Sequence, residues 1–459
     1  MKRIGLGVFE VGGPQVGGTI SWNHPRSRGS EWLDLRHWVE MAQLLDRAGF
    51  DFLFFAGGPF TYPAVGGEIS EELVRAGMGS GIDATYFVPS MAAAAERLGF
   101  VLTSVTGADH PLFTVRKFQS LDHLTGGRIG WNIVTGSSQD THAAMMGHRE
   151  MVAHDTRYAV AEEYVDLALR YWEGSWEDGG LVLDAEKGVF ADPAKLHKVV
   201  HDGQHYRSSG WHTSPPGPQV TPTLFQAGTS ETGREFAARY AECVFVQGST
   251  VDLTARNVAD IRRRAAAHGR DPAALKIFVG VTVVTAATEE EARRQREEFD
   301  ALQTDELAAA YYAGNTGVDL SALDPDGTIE QVFEGGHAHV GQLGVSNVER
   351  FRGAGAPTVR EILEQLKGRG TRGFPLTGSG EQVATGLEEL IDATDLDGVM
   401  IEPVFDIASL EDFSEFVVPH LRERGRLEPV SGSTMRERMT GAGPRLADTH
   451  RGAGLRPGG

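Results

Sequence analysis

Residues 221–246 read TPTLFQAGTSETGREFAARYAECVFV: an apolar run stops at Gly228 and passes through Thr229 and Ser230 straight into a helical pattern. Hydroxyls at such a joint have two uses. They cap the helix by accepting hydrogen bonds from its first, otherwise unpaired N–H groups. Alternatively, they join those N–H groups and the helix dipole in seating an anion such as phosphate. The pattern by itself leaves both open. Elsewhere, His154 stands just before a long amphipathic stretch and Tyr158 lies one turn further on, so the two share a helix face. Asp109 and His110 come side by side ahead of Pro111, where a helix begins with proline in its favoured first turn. They are the candidates for moving protons. Asn132 interrupts an apolar run, RIGWNIV, where an amide either ties strands together or meets a ligand. There is no GxSxG elbow and no phosphate-binding P-loop, so nothing here supplies a nucleophile. His337 and His339 fall in a glycine-rich stretch rather than at a strand end, and no metal site is expected.

The elements that must position these groups follow from periodicity. Strand-like runs lie at 4–9, 50–56, 100–104, 128–134, 223–226, 243–246, 277–284 and 398–401, and helical patterns fill the intervals. Strands alternating with helices imply parallel βαβ units, and eight of them point to an α/β fold of the TIM-barrel type. An open doubly wound sheet is the competitor. It is announced by GxGxxG opening a helix, and the glycines of VFEVGGPQVGG after the first strand open none. Two blocks break the rhythm, at about 173–222 and 315–375, and read as insertions into one barrel domain spanning 1–440. The remainder, 441–459, has too little apolar matter to pack and is expected to be a mobile tail. In such a barrel, function lies at the C-terminal ends of the strands. Those ends carry Glu10, Gly57, Ser104, Thr106, Asn132, Gln226 to Ser230, Gln247 and Glu402, a rim that is mostly neutral and hydroxyl-bearing. It suits a phosphorylated cofactor that brings its own reactivity.

Composition narrows the partners. Lys and Arg number 43 against 63 Asp and Glu, a net charge of −20 that argues against nucleic acid or an anionic membrane surface. The single cysteine, Cys243, lies in an apolar run and reads as a small buried hydrophobe. The opening MKRIGLGVFE has no apolar stretch of signal-peptide length, and no later run would span a bilayer. A soluble, cytoplasmic protein is expected.

The segment HPLFTVRKFQSLDHLTGGRIGWNIVTG (110–136) resembles the signature of bacterial-luciferase-like flavin monooxygenases, in the branch holding nitrilotriacetate, dibenzothiophene sulfone and dimethyl sulfide monooxygenases. The same branch is matched by HDTRYAVAEEYVDLALRYWEGSWED (154–178), by the opening stretch, and by DFSEFVVPHLRERG (412–425). GVFADPAKLHKVVHDGQHYRSSGWH (188–212) and TGVDLSALDPDG (316–327) lean toward the dimethyl sulfide enzyme. The resemblance implies a TIM barrel that binds reduced FMN made by a separate NAD(P)H:flavin reductase. It implies that O2 adds at the flavin C4a carbon and that one oxygen passes to a small organosulfur or related heteroatom compound. It also implies a homodimer or homotetramer. The family's flavin contacts map onto Ser104, Thr106, Asn132, His154, Tyr158, Thr229 and Ser230, with the 228–233 joint holding the FMN phosphate.

Two departures sit where flavin and substrate would meet. Members commonly have an aspartate after the second strand, where FFAGGPF puts Gly57. The third strand ends in VTGADHPL, where a Thr- and Asn-containing run is commoner. Together they enlarge the space and remove a carboxylate. They keep two alternatives in play: a deazaflavin-dependent oxidoreductase on the same barrel, and a flavin-binding relative without turnover. A mobile lid is expected at 334–344, because flavin oxygen chemistry must be shielded from water.

Overall fold

The computed structural model describes residues 2–457 apart from 17–18, 58–63, 66–67, 137–144, 148, 150–151, 229, 249, 317, 332–347, 349–350, 353–354 and 368–372. The expected lid, the His337–His339 pair and Thr229 lie outside the described residues.

Eight parallel strands close on themselves. They are β1 (Gly5–Glu10), β2 (Phe52–Phe55), β3 (Gly99–Val105), β4 (Ile129–Val134), β5 (Thr223–Ala227), β6 (Cys243–Val246), β7 (Lys276–Ala286) and β8 (Gly398–Pro403). Each pairs with the next, and β8 pairs with β1, so no edge is left in the ring. This is the expected TIM barrel, built from the eight apolar runs of the sequence. A ninth parallel strand, Phe374–Ser379, was not evident in the glycine-rich block. It joins the C-terminal half of the long β7, from Val281 onward, beyond the point where β6 ends opposite Val279.

Side chains alternate across the barrel wall. Leu6, Val8, Leu53, Phe55, Phe100 and Leu102 belong to the outer core under the helices. Phe9, Phe52, Phe54, Phe225, Phe278 and Met400 form a second cluster. Rings from strands that are not neighbours meet there, Phe52 with Phe225 at 5.3 Å and with Phe278 at 5.2 Å, which puts this cluster inside the barrel. Large rings fit because facing positions are small. A Cβ at Gly7 would come within 2.5 Å of the Phe52 ring. The lower barrel is therefore a dry aromatic plug, the layered filling expected of the fold.

The helices are set by local chemistry. In α1 (Leu35–Ala48) Asp34 accepts from the Arg36 N–H at the start, and Gly49 at φ 87° ends the helix. His37, Trp38, Met41, Ala42, Leu45 and Ala48 form its buried stripe. The helices that matter for the site are α2 (Pro111–Leu124), α3 (His154–Gly174) and α4 (Glu231–Tyr240). Between α3 and β5 the chain forms two antiparallel hairpins, Leu181–Asp184 with Val189–Ala191 and Lys198–Asp202 with Arg207–Trp211. Between β7 and the ninth strand it builds a small core of its own, including Tyr312, Ile329, Phe351 and Ile362.

The expectation of a mobile tail needs correction. Residues 441–457 lie against α3 and α4, with Leu446, His450 and Ala453 buried. His450 Nε2–H donates to the Tyr240 carbonyl at 2.9 Å, Arg451 pairs with Asp166 at 2.6 Å and Arg456 with Glu173 at 2.8 Å. Composition alone misjudged this segment because polar anchors, rather than apolar area, hold it.

Candidate active site

Above the aromatic plug the inward positions turn polar. Thr103 on β3 and Asn132 on β4 are register partners, as are Thr282 on β7 and Glu402 on β8. Asn132 Nδ2 donates to Thr103 Oγ1 at 2.8 Å, and Thr103 Oγ1 donates to the Phe55 carbonyl at 2.8 Å. This fixes the amide's orientation and leaves Asn132 Oδ1, buried, without a hydrogen-bond partner among the described residues. A buried acceptor left open costs about 1–3 kcal/mol, so it is tolerated where a ligand completes it. Across the mouth, Thr282 Oγ1 donates to Glu402 Oε2 at 3.3 Å.

The second cluster forms where β5 hands over to α4. Ser230 is the N-cap, its Oγ accepting from the Gly233 N–H at 3.1 Å. His154 Nε2, at the start of α3, lies 3.4 Å from the same Oγ. His154 Nδ1 is 2.9 Å from Asp155 Oδ1, and Thr232 Oγ1 donates to that carboxylate oxygen at 3.1 Å, so the ring is held from behind. Tyr158 lies one turn along, its ring tilted against that of His154 at 5.0 Å. Burial pushes the Tyr158 hydroxyl up from its ordinary value, against hydrogen bonding by Ser230 and Gln226 that acts the other way. It therefore stays protonated at neutral pH and offers a donor. Gly233 is required here: a Cβ would lie 2.9 Å from the Tyr158 hydroxyl and 3.0 Å from Ser230 Oγ. Arg157, buried below, donates to the Val152 carbonyl at 2.7 Å. The joint thus gathers hydroxyl, imidazole and phenol around a helix N-terminus.

The third strand contributes less than expected. Ser104 faces outward, where Lys117 Nζ donates to its Oγ at 3.1 Å, while the inward position belongs to Thr103. Burial pushes the Lys117 ammonium down from its ordinary value. Thr106 is buried and donates to the Val134 carbonyl at 3.3 Å, tying β3 to β4. His110 caps α2, its Nδ1 accepting from the Leu112 N–H at 3.2 Å, with its ring edge-on to Tyr206 at 5.9 Å. Asp109 is exposed beside it. Gly57 has φ 75°, and a Cβ there would sit an ordinary 3.6 Å from Thr103. Two arginines in the loop after β1 are held in ion pairs, Arg28 with Glu31 and Glu40 and Arg26 with Asp412.

The structure therefore brings together His154, Tyr158 and Ser230. It sets Asn132 on the neighbouring strand, opposite Phe225 of β5, and leaves Ser104, Asp109 and His110 apart. Sequence reading missed Thr103 and Gly233. Period-two alternation from Val101 carried a signal for Thr103, but the pattern did not say which face was inner. Reduced FMN, the cofactor implied by the resemblance, presents a dianionic phosphate and a planar ring edged with N–H and C=O groups. The residues fit it: a helix N-terminus with a hydroxyl and an imidazole for the phosphate, and an open carboxamide acceptor for a ring N–H. Among the described residues no group of three His, Cys, Asp or Glu side chains is placed to hold a metal, and no helix is long and apolar enough to cross a membrane.

Comparison with known proteins agrees with this fold. The chain is 34% identical over 457 residues to the long-chain alkane monooxygenase of Geobacillus thermodenitrificans, covering 98% of this chain and 97% of the relative. It is equally similar, 34% over 457 residues, to the dimethyl-sulfide monooxygenase of Hyphomicrobium sulfonivorans, covering 99% and 94%. A crystal structure of a riboflavin lyase with modified FMN and riboflavin superposes with a TM-score of 0.92 at 38% identity, covering 99% of this chain and all of that one. The family model for luciferase-like monooxygenases matches residues 15–396, and the chain belongs to that family of flavin-dependent monooxygenases.

Proposed function

We propose that this protein is the oxygenase of a two-component system, using reduced FMN delivered by a separate NAD(P)H:flavin reductase, and that it works as a homodimer or homotetramer. The observation that carries the reading is the Ser230–His154–Tyr158 cluster around the start of α4. Bound reduced FMN supplies the electrons with which O2 is split, one oxygen atom going to the substrate and the other to water. The chain's own residues do the rest. Ser230 Oγ and His154 Nε2 would hold the phosphate, Asn132 Oδ1 would accept from a ring N–H, and the phenylalanine plug closes the barrel below them. A dry site matters because water diverts activated oxygen into side reactions.

A small organosulfur or related heteroatom compound is the substrate supported by the dimethyl-sulfide relative and by the matching blocks 188–212 and 316–327. A second reading has its own support. The 38% identity to a riboflavin lyase along the whole chain favours a planar nitrogen heterocycle. The test is an anaerobic titration of the protein with reduced FMN, then rapid mixing with oxygenated buffer and dimethyl sulfide, a long-chain alkane or riboflavin. Oxygen uptake coupled to loss of one substrate assigns both activity and class. Failure to bind FMN in either redox state, or turnover with a deazaflavin and no oxygen uptake, overturns the reading.

A further inference from the structure

At the opposite, N-terminal end of the barrel lies a cleft of about 380 Å³, lined by Arg3, Arg97, Arg422 and Arg438 and by Asp46, Asp51 and Glu428. That is far above the roughly 10–15 Å³ that admits a single water. The two acids deepest in the chain are spoken for. Asp46 accepts from the backbone N–H groups of Glu96, Arg97 and Leu98 at 2.7–2.9 Å. Asp51 takes both Arg3 Nη groups, at 3.0 and 2.7 Å, and the Leu6 N–H at 2.9 Å.

The other three arginines meet carbonyls only. Arg97 Nη2 donates to Val430 O at 2.6 Å and Arg422 Nη2 to Ala48 O at 2.6 Å. Arg438 donates to the carbonyls of Arg97, Gly432 and Ser433 at 2.5–3.4 Å. No carboxylate pairs with any of the three among the described residues. Arg438 is 9% exposed, and burial together with the Arg97 charge pushes its guanidinium down to about 10. A buried charge is normally paired. Only Arg438 is buried, with Asp46 and Asp51 acting on its charge through space, while Arg97 and Arg422 are exposed; the cleft still gathers four arginines against Asp46, Asp51 and Glu428 in a chain of net charge −20.

We propose that this cleft binds a small multivalent oxyanion, phosphoryl or polycarboxylate, through Arg97, Arg422 and Arg438. The carbonyl ties hold each guanidinium in place while leaving its other N–H groups for a ligand, and planar guanidinium forks match carboxylate and phosphate oxygens. Nothing in this inference depends on the flavin reading, since Ser230 sits at the other end of the barrel. The test is isothermal titration of the full chain with inorganic pyrophosphate and, separately, with citrate. Arg97→Ala and Arg422→Ala are the variants of choice, because both side chains are exposed and their loss should leave the fold intact; urea denaturation checks that. Wild type is expected to take up one anion per chain, with each substitution weakening it about tenfold, the usual weight of a charge-assisted hydrogen bond. A preference for pyrophosphate assigns phosphoryl ligands and a preference for citrate assigns carboxylates. Equal binding by the wild type and the double variant, or no binding of either anion, overturns the proposal.

Discussion

Replacing Ser230 by alanine and by glycine separates the two uses a hydroxyl has at a helix start. Its Oγ accepts from the Gly233 N–H at 3.1 Å and lies 3.4 Å from His154 Nε2, so it is built both to cap α4 and to face an anion. As a cap, its loss to alanine costs about 1 kcal/mol of stability, whereas glycine at the same position costs only a few tenths. As a phosphate ligand, its loss is the same in both variants, because neither has a hydroxyl. A hydrogen bond to a charged group contributes about 1.5–3 kcal/mol, or roughly 10- to 100-fold in affinity. The expected value lies at the lower end, since removing Oγ frees the Gly233 N–H to serve the phosphate in its place. Urea denaturation of the apoprotein and anaerobic titration with reduced FMN read the two effects independently. Ser230→Ala should lose both stability and about tenfold in affinity; Ser230→Gly should lose the affinity and keep most of the stability. If Ser230→Gly binds reduced FMN as tightly as the wild type, the hydroxyl is only a cap and adds nothing to holding the phosphate.

Other consequences are open to direct measurement. Asn132→Leu removes a buried carboxamide whose Oδ1 has no partner among the described residues, so apoprotein stability should hold within about 1 kcal/mol while FMN affinity falls at least several-fold in the same titration. Arg436, fully buried, donates to Glu242 at 2.7 and 3.0 Å and to the carbonyls of Gln219, Thr221, Pro222 and Pro444. Arg436→Met should destabilise by about 3–5 kcal/mol in urea, and adding Glu242→Gln should recover part of that, because the single change strands a buried carboxylate. Burial pushes His450 down from 6.5 to about 4, so an unfolding chain takes up a proton there before the folded one does. Its contribution is present in full above about pH 6.5 and is lost as pH falls toward 4. Melting temperatures at pH 7 and pH 5 should differ more for the wild type than for His450→Leu.

How far the chain could be read in advance differs from element to element. All eight barrel strands stood out as apolar runs between helical patterns, because a strand buried on both faces has to be hydrophobic over its whole length. The ninth strand did not. FPLTGS is half-exposed, short on apolar residues and lies in a glycine-rich block, and it exists because β7 runs on past the end of β6. The tail failed for the opposite reason: its few apolar residues matter less than Arg456 and Arg451 finding Glu173 and Asp166 on α3. At the site, Ser230 and His154 were legible as residues at helix starts. Thr103 was not, because alternation gives two faces without saying which one turns inward.

The sequence by itself determined the eight barrel strands, their parallel order and the helix starts, since these follow from local periodicity, capping and the spacing of βα units. Only the tertiary structure decided which residues meet. His154 and Ser230 are 76 positions apart and come within 3.4 Å because α3 and α4 pack side by side on neighbouring strands. Asn132 keeps an open acceptor because Thr103, on the next strand in register, takes its amide N–H. Such pairings depend on barrel closure and register, which link residues that no local pattern connects.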